Sequence, residues 1–447
     1  MKKSQIVGAM TAGLLLAIGV SAWAGTARHD IPTVPPPKGE TTQLLEHVRM
    51  DAAQQSEEQK SVRTLYDEGF TMVGEDDTLK IGAWMQTDFR TFFKGHPNNT
   101  QFLVRRARID LKGSLDKLFG FRLMGEFEGD HGTNAANLKE GYVEYNQFPS
   151  FRIRVGQFKE PWGLENMYGD LWLDFLERPA VENFIRPEQD LGLMFFGKLF
   201  GKRLEYGVGL FNGSGTNVEE VNDDKDVAGR IALTPFAASD NTWMKHLTFG
   251  GSATYGKQAA TLDGTGPTTA VGTRYLTFVN PTAGNDVTLN SYRSRFGGDL
   301  EWIVGPFSLK GEYAYTRFRD LTFAGAVRAW RLHGVHGQIT YVVTGENKSN
   351  QGPVVPLHPF NPKEGHWGAV ELAGRFELGR SDHGLIDAGF ATGTDDLWAA
   401  TGGVNWYLNR HVRWSTNYIY TKFNEPIANA GGKGYEHAIF TRFQFNL

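Results

Sequence analysis

From about residue 78 to its end, the chain alternates apolar and charged residues in short segments. In residues 102–112 the side chains Leu103, Ala107, Ile109 and Leu111 share one face, and Arg106, Arg108, Asp110 and Lys112 share the other. The same pattern recurs in residues 121–128, 292–302, 307–316 and 412–421. A period of two residues is typical of β-strands whose two faces meet different surroundings.

The repeated charged faces favour a membrane barrel over a soluble sandwich. A sandwich would place these charges outside one shared core, whereas a transmembrane barrel turns its apolar face to lipid and its charged face to a wet lumen. Short turns at 147–150, 305–306 and 408–411 alternate with long polar segments at 159–190, 257–291, 345–365 and 423–434, which we interpret as outer loops. We therefore predict an all-β fold, a transmembrane antiparallel β-barrel over residues 76–447.

The number of strands is harder to predict than the fold. Seventeen segments have the strand pattern, but a chain with both termini in the periplasm needs an even number. The difficult region is 257–345, where residues 275–279 are a candidate for a further strand and 326–345 is too long for one. We predict sixteen strands, with eighteen as the alternative.

Both ends of the chain carry signals for export and assembly. A basic start, an apolar stretch and the small residues around Ala24 indicate a secretory signal peptide over residues 1–24. Residues 25–75 contain a proline-rich linker and, over 41–66, either a short periplasmic helix or a flexible segment. The last ten residues, AIFTRFQFNL, alternate like a terminal barrel strand. These features predict the outer membrane of a Gram-negative-type bacterium.

Composition narrows the classes of function further. The 447 residues carry a net charge of −4 and no cysteine, which excludes a nucleic-acid binder driven by bulk charge and thiolate metal sites. Only the first two dozen residues contain a long apolar run, so the chain is not a helical membrane protein. The sequence has no GxSxG, HExxH or P-loop motif, and we predict no enzyme, metal or cofactor.

Several stretches of the predicted barrel resemble the phosphate-selective porin O and P family. They are FLVRRARIDLKG at 102–113, RIRVGQFKEPWGLE at 152–165, FLER at 175–178, YGVGLFNG at 206–213, YVVTGE at 341–346, GAVELAGRF at 368–376 and GGVNWYLNRHVRWSTNY at 402–418. The resemblance covers roughly residues 78–447. It implies a sixteen-stranded homotrimeric porin in outer-membrane lipid, with a loop folded into each pore and anion uptake assisted by lumenal arginines and lysines.

A phosphate channel needs cationic donors along its path, because the planar fork of arginine matches phosphate oxygens and lysine supplies a point charge. Alternation and the resemblance select eight candidates for an anion path: Arg106, Arg108, Arg122, Arg152, Arg154, Lys159, Arg293 and Arg295. Lys159 stands where the family's inward loop begins, and is the candidate constriction residue. By strict alternation Arg105 points away from the lumen, unless the strand bulges. The expected function is passive, diffusive passage of small anions such as phosphate.

The charges of the predicted inward loop oppose an anion channel. Residues 159–190 contain three basic and eight acidic side chains, and inward acids along the strands are almost as numerous as inward bases. A loop of this charge favours cations, and arginines paired across strands offer little to an anion. A general or cation-preferring diffusion porin of the same fold therefore remains an alternative, as does a non-conducting structural envelope barrel.

Overall fold

The computed structural model describes residues 63–66, 69–93, 95–128, 136–220, 222–279 and 286–447. The predicted signal peptide, most of the predicted linker, and residues 41–62 of the predicted helix lie outside the described residues. Within the described part, no helix has the length and apolar character needed to cross a membrane. The described part is all-β, with a few short helical turns.

Sixteen antiparallel strands form a closed barrel, and two short strands, β1 (Arg63–Tyr66) and β2 (Phe70–Val73), precede it. The barrel strands are β3 (Thr78–Phe92), β4 (Gln101–Leu115), β5 (Phe119–Glu126), β6 (Asn137–Phe148), β7 (Phe151–Lys159), β8 (Gln189–Leu199), β9 (Leu204–Phe211), β10 (Asp226–Leu233), β11 (Thr248–Thr261), β13 (Thr288–Val304), β14 (Phe307–Phe323), β15 (Ala326–Val342), β16 (Ala369–Ser381), β18 (Asp396–Tyr407), β19 (Val412–Ile427) and β20 (Lys433–Asn446). The other elements are β12 (Leu276–Phe278), β17 (Ala391–Gly393), α1 (Leu164–Met167), α2 (Ala180–Ile185), α3 (Gly384–Asp387) and a 3-10 turn (Ala428–Ala430).

Each barrel strand pairs with the next barrel strand along the chain, and β20 closes the barrel on β3. In this closing pair Ala438 lies opposite Phe92, and Asn446 lies opposite Trp84. Closure leaves the barrel without a free strand edge, as hydrocarbon requires because it cannot hydrogen-bond exposed backbone groups. The prediction of a sixteen-stranded transmembrane barrel is confirmed.

Two details of the sequence interpretation are wrong. Residues 326–342 form a single strand of 17 residues, β15, because a tight turn at 324–325 lets β14 and β15 extend together. The candidate strand at 275–279 contributes only Leu276–Phe278, which pairs with Ala391–Gly393 in a separate two-stranded sheet. Neither residues 275–279 nor a division of 326–345 therefore adds a strand to the barrel wall.

The hairpin of β1 and β2 extends the sheet where β3 begins. β2 pairs with Thr78–Ile81 of β3, along the same edge that β20 occupies further on. The amide of Leu447 donates to the carbonyl of Ala83, so the first residues of β3 reach past the end of β20 and need another partner. Residues 63–66 and 70–73 are therefore strands, where the sequence predicted the end of a helix and a linker.

The connections distinguish two rims of the barrel. We call the rim where β3 begins and β20 ends the terminal end, and the opposite rim the loop end. The connection 345–365, predicted to be an outer loop, lies at the terminal end, because β15 is one strand and not two. The segment 423–434, also predicted to be a loop, is largely strand. Five connections at the terminal end are short turns, at 116–118, 149–150, 200–203, 305–306 and 408–411.

The largest hydrophobic core of the described residues lies inside the barrel, toward the loop end. Trp330 of β15 is fully buried there against Phe278 from the connection 262–287. Trp162 and Ile185 from the connection 160–188 complete this core. Packed side chains, and not water, therefore fill the lumen beside β14 and β15.

Candidate pore constriction

The connection 160–188 folds into the lumen, and we call it the inner loop. It carries α1 and α2 and contacts inward side chains of β13 to β16 and of β18 to β20. At the first turn of α1, the amides of Leu164 and Glu165 both donate to the carboxylate of Glu312 on β14, at 3.1 and 3.0 Å. The inner loop thus crosses the lumen from β7 to the far wall.

Asp174 fixes the middle of the inner loop to that far wall. Its carboxylate lies 3.0 Å from the ammonium group of Lys310 and 2.6 Å from that of Lys348. Burial raises the pKa of Asp174, but the two lysines lower it more strongly, so the net direction is downward. Asp174 is therefore ionised, and its charge is compensated by these two lysines.

Glu177 is held by three arginines from β3, β4 and β20. Its carboxylate lies 2.6 Å from Arg90, 3.1 Å from Arg105 and 3.2 Å from Arg442. Burial raises the pKa of Glu177, but the surrounding arginines, Arg105 first, hold it well below its usual range. This acidic side chain also faces the wall and not the open lumen.

Three inward arginines donate to main-chain carbonyls of the inner loop. Carbonyl oxygens are acceptors for the N–H groups of a buried guanidinium, beside or in place of a carboxylate. The pairs are Arg375 with Glu177 at 2.8 Å, Arg413 with Leu173 at 3.1 Å and Arg442 with Leu176 at 2.8 Å. These arginines hold the loop and are not available along an open path.

Two cavities of about 510 Å³ each lie along the inward faces of β3 to β8, one toward the terminal end and one toward the loop end. We call the two cavities together the passage. Arg108, Lys159, Asp170 and Gln189 line both cavities. These four side chains therefore form the neck between the cavities, which is the candidate constriction.

The acidic member of the neck is surrounded by arginines. The carboxylate of Asp170 lies 2.7 Å from Arg108, 2.7 Å from Arg178 and 3.5 Å from Arg106. Burial raises the pKa of Asp170, but these three guanidinium groups outweigh burial and hold it well below its usual range. Asp170 is therefore ionised at neutral pH.

Lys159 is bound differently from the arginines of the neck. Its ammonium group donates to the carbonyl oxygens of Asn166 and Tyr168 at 2.7 and 2.6 Å. Among the described residues it forms no ion pair within 4.0 Å of a carboxylate. Its positive charge at the neck is therefore not cancelled by a direct partner.

The passage as a whole carries an excess of positive charge. Of the eight acids in 159–190, a stretch described throughout, only Asp170 and Glu188 line either cavity. Eleven basic side chains line the two cavities (Lys80, Arg105, Arg106, Arg108, Lys112, Arg122, Lys139, Arg154, Lys159, Arg178 and Arg186), against six acidic ones (Asp110, Glu126, Glu128, Glu140, Asp170 and Glu188). The net charge of the loop is therefore not the net charge of the passage.

The sequence of the barrel matches a known family of porins. The family model of phosphate-selective porin O and P matches residues 78–447. The chain belongs to that family. Porin O of Pseudomonas aeruginosa is 25% identical over 401 residues, which are 82% of this chain and 88% of that protein. The chain is thus an outer-membrane porin of a Gram-negative bacterium, and its family indicates a channel rather than an enzyme.

Solved outer-membrane proteins have the same fold as this porin. OmpT of Vibrio cholerae superposes with a TM-score of 0.52 at 10% identity, over 84% of this chain and 100% of that chain. The anion-selective porin from Comamonas acidovorans gives 0.51 at 14% identity, over 83% and 100%. The channel DcaP of Acinetobacter baumannii gives 0.53 at 10% identity, over 85% and 99%. At such identities the likeness concerns the fold alone.

The eight predicted anion-path residues of this porin divide into two groups. Five line the passage: Arg122 and Arg154 in the terminal-end cavity, Arg106 in the loop-end cavity, and Arg108 and Lys159 at the neck. Arg152, Arg293 and Arg295 line neither cavity. Alternation therefore identifies which side chains point inward, but not which of them meet the passage.

The three residues outside the passage have other surroundings. Arg293 pairs with Asp226 at 2.8 Å, and the buried Arg295 donates to the hydroxyl of Thr254 at 3.4 Å. Both lie on β13, whose inward face is covered by the inner loop and the core. The guanidinium of Arg152 lies 5.9 Å from the ring centre of Phe196, near the terminal end of β7.

Some of the arginines that line the passage are paired across strands, as the sequence alternative anticipated. Arg122 lies 2.8 Å from both Asp110 and Glu140. Arg154 lies 2.6 Å from Glu144 on β6. These pairs reduce, but do not remove, the excess of basic groups along the passage.

Six basic residues of the passage were not among the predicted site residues: Lys80, Arg105, Lys112, Lys139, Arg178 and Arg186. The register between β3 and β4 shifts after Gln86, and Arg105 is the extra residue of this bulge. The bulge brings Arg105 to the loop-end cavity, and Arg178 and Arg186 reach the same cavity from the inner loop. The run of two adjacent arginines in the RRAR motif was the signal for the bulge.

Proposed function

We propose that this porin gives passive, diffusive passage to small anions, phosphate among them. The proposal rests on the excess of eleven basic over six acidic side chains along the passage. Such an excess attracts anions and repels cations within a screening length of about 10 Å at 0.1 M salt. The family is described as phosphate-selective, and the Comamonas acidovorans porin of similar fold is named as anion-selective. Both descriptions support a preference for anions.

The basic residues form successive positions for an anion along the passage. Arg122 and Arg154 come first from the terminal end, Arg108 and Lys159 follow at the neck, and Arg106 lies beyond it. A phosphate that exchanges one forked arginine contact for the next moves without ever being held at a single deep site. Conduction needs this kind of weak, multiple binding.

Arg108 is suited to a weak site because its guanidinium is already shared. It stacks over the ring of Trp84 at 4.7 Å, and it pairs with both Glu126 and Asp170. An incoming anion competes with two carboxylates for this group, which limits its residence time. Lys159 adds a basic group without a direct carboxylate partner at the same place.

A planar-bilayer recording with the purified full chain tests the proposal. In a potassium chloride gradient, the reversal potential should indicate preference for chloride, and added phosphate should block the chloride current. Lys159→Met should lower both effects, because it removes the unpaired charge of the neck. Lys198→Met serves as the matched control, since Lys198 is exposed at the terminal end of β8 and pairs there with Glu205.

The cross-strand pairs of Arg122 and Arg154 favour the second candidate, a general or cation-preferring porin. A wild-type channel that prefers potassium and ignores phosphate would support this candidate over the anion path. A protein that inserts but shows no steady conductance would instead support a structural barrel.

We further propose that the porin is a homotrimer, as the family implies. One solved form of Vibrio cholerae OmpT, similar in fold at a TM-score of 0.52, is described as a trimer. Native mass measurement of the detergent-solubilised full chain should give three copies. Monomers alone would contradict the assembly and leave the anion proposal intact.

A further inference from the structure

The outward face of β14 and β15 carries a group of arginines near the loop end. Arg317 and Arg331 lie directly opposite each other in the strand register, and both are exposed. Arg319 extends the group toward the turn at 324–325. We call these three arginines the outer-wall patch. Like charges directly opposite on neighbouring strands repel each other, so this arrangement is favourable only with an anion between them.

The described part of the chain supplies little compensation for the outer-wall patch. Arg317 and Arg319 form no ion pair or side-chain hydrogen bond with any described residue. Arg331 approaches one carboxylate, that of Asp382, at 3.9 Å.

The other acid nearby is also engaged elsewhere. Asp320, next to Arg319, accepts a hydrogen bond from the hydroxyl of Ser291 at 2.8 Å. On this surface three arginines share the carboxylate of Asp382, while Arg380 and Asp396 nearby pair with each other at 2.9 Å. The outer-wall patch is therefore a net basic surface on the lipid side of the wall, unconnected with the lumen.

The position of the patch along the wall matches the boundary of the membrane. Arg317 lies ten residues from Phe307, which stands opposite Tyr341 at the terminal end of the same face. Ten residues span about 33 Å along a strand, or about 25 Å along the membrane normal at a tilt near 40°, the height of an apolar band. Phe307 and Tyr341 then mark one interface, and the outer-wall patch marks the other.

An apolar groove lies directly below the patch on the same outer surface. It has a volume of about 550 Å³, with Tyr313 and Val335 on one side and Trp398 on the other. Leu378 forms part of its floor, and Lys422, without a partner among the described residues, stands at its far edge. His333 and the ion pair of Arg380 with Asp396 also line the groove, so the part that fits a hydrocarbon chain is the one between Tyr313, Trp398 and Leu378.

We propose that the outer-wall patch and this groove bind a phosphate-bearing lipid of the outer leaflet. The lipid phosphate lies between Arg317 and Arg331, where forked guanidinium groups match its oxygens. One acyl chain lies in the groove between Tyr313 and Trp398. Long loops mark the outer side of such barrels, so the loop end belongs to the outer leaflet. The proposal rests on the outer-membrane location and not on the selectivity of the pore.

Binding of lipid A to the purified full chain in phosphatidylcholine nanodiscs tests the proposal, with dephosphorylated lipid A as the comparison ligand. Wild-type protein should bind the phosphorylated form more tightly. The double variant Arg317→Gln with Arg331→Gln should bind it about 30-fold more weakly. Each basic group near a membrane surface contributes about fivefold to the affinity, and the two factors multiply. Lys198→Gln with Lys202→Gln, two changes at the terminal end, is the matched control and should bind normally.

A second variant tests the groove without changing charge. Val335→Trp fills the space between the aromatic sides and should weaken lipid A binding while leaving the arginines in place. Both variants should conduct like the wild type, because the changed residues face away from the lumen. That result separates a failure of this proposal from a failure of the anion path.

Three outcomes would overturn the lipid site. Equal binding of the phosphorylated and dephosphorylated lipids would remove the role of the phosphate. Unchanged affinity in the double arginine variant would remove the role of the outer-wall patch. Loss of an oligomer in that variant, with no change in lipid binding, would show that the surface contacts a second copy of the chain instead.

Discussion

Replacing Asp170 with Asn should make the channel more selective for anions. The amide has the shape of the carboxylate but lacks its charge, so the neck would keep Arg108 and Lys159 and lose their acidic neighbour. The surrounding arginines hold the pKa of Asp170 well below its usual range, so the substitution removes a full charge at neutral pH. Arg178 keeps its bonds to two carbonyl oxygens, which limits disturbance of the inner loop.

The expected size follows from Coulomb's law. A unit charge about 5 Å from a permeating ion contributes about 0.8 kcal/mol in water, and about 0.5 kcal/mol after screening at 0.1 M salt. The change favours the anion and disfavours the cation, so the two effects add to about 1 kcal/mol, or about fivefold in the permeability ratio. At 1 M salt the screening length is about 3 Å, and the change should fall below about twofold.

Reversal potentials in potassium chloride gradients at both salt levels would measure this ratio. Glu188→Gln is the matched control, because Glu188 lies only in the loop-end cavity, away from the neck, and pairs there with Arg186 and Lys139. It removes the same charge from a wider part of the passage and should change the ratio less. Single-channel conductance close to that of the wild type would show that the inner loop of Asp170→Asn is still seated.

Three results would refute this reasoning. If the permeability ratio of Asp170→Asn equals that of the wild type at 0.1 M salt, Asp170 does not act on the permeating ion. A shift of equal size in Glu188→Gln would mean that the neck has no special position. A shift independent of salt would point to an altered pore shape and not to charge.

Two other substitutions test the packing of the pore, and one deletion tests the closure of the barrel. Burial raises the pKa of Glu182 to about 7, so its ionisation opposes folding as the pH rises from 4.5 toward 7. Glu182→Gln should therefore increase the free energy of unfolding at pH 8 by an amount on the order of 2 kcal/mol, which would appear as a higher unfolding temperature on heated gels. At pH 5 the unfolding temperature should change little. In Gly334→Ala the new Cβ would lie 2.7 Å from Val181 of α2, so the variant should lose about 1–3 kcal/mol and show noisier current as α2 shifts. Deleting residues 443–447 removes half of the closing pair of β20 with β3, so the truncated chain should give no heat-modifiable barrel.

Each of these tests has a clear contrary result. Equal stabilisation of Glu182→Gln at both pH values would contradict a proton-linked cost. Quiet, wild-type current from Gly334→Ala would mean that α2 does not depend on its contact with β15. Normal amounts of membrane-inserted, heat-modifiable protein after the deletion would contradict the role of the last strand.

The fold could be predicted because strand alternation is a local property. The faces of Arg106 and Arg108 follow from their spacing, and the sequence placed both inward. Arg105 could not be assigned by the same rule, because a bulge arises from how two strands pair and not from one strand alone. The segment 345–365, which lies in the connection 343–368, was assigned to the wrong end of the barrel for a related reason. When one strand is wrongly divided into two, the next connection is placed at the opposite end.

The site was less predictable, because it depends on contacts between residues far apart in the sequence. Arg375 and Arg413 look like lumenal residues in the sequence, but they bind carbonyl oxygens of a loop about 200 positions away. The acids Asp174 and Glu177 suggested a cation-selective loop, but both are bound to bases on the wall. Adding up the charges of a segment cannot show which of them face the passage.

The position of Glu177 links the width of the channel to the stability of barrel closure. Arg90 belongs to the first barrel strand and Arg442 to the last, and Glu177 bridges them from within, across the seam where the wall was joined. Shortening the inner loop to make a wider tunnel would remove one of the two carboxylates that pair with both arginines; the other is that of Asp88, at 2.8 and 2.6 Å. Asp88 alone would then face two guanidinium groups, so a redesign of permeability has more freedom at Asp170 than at Glu177.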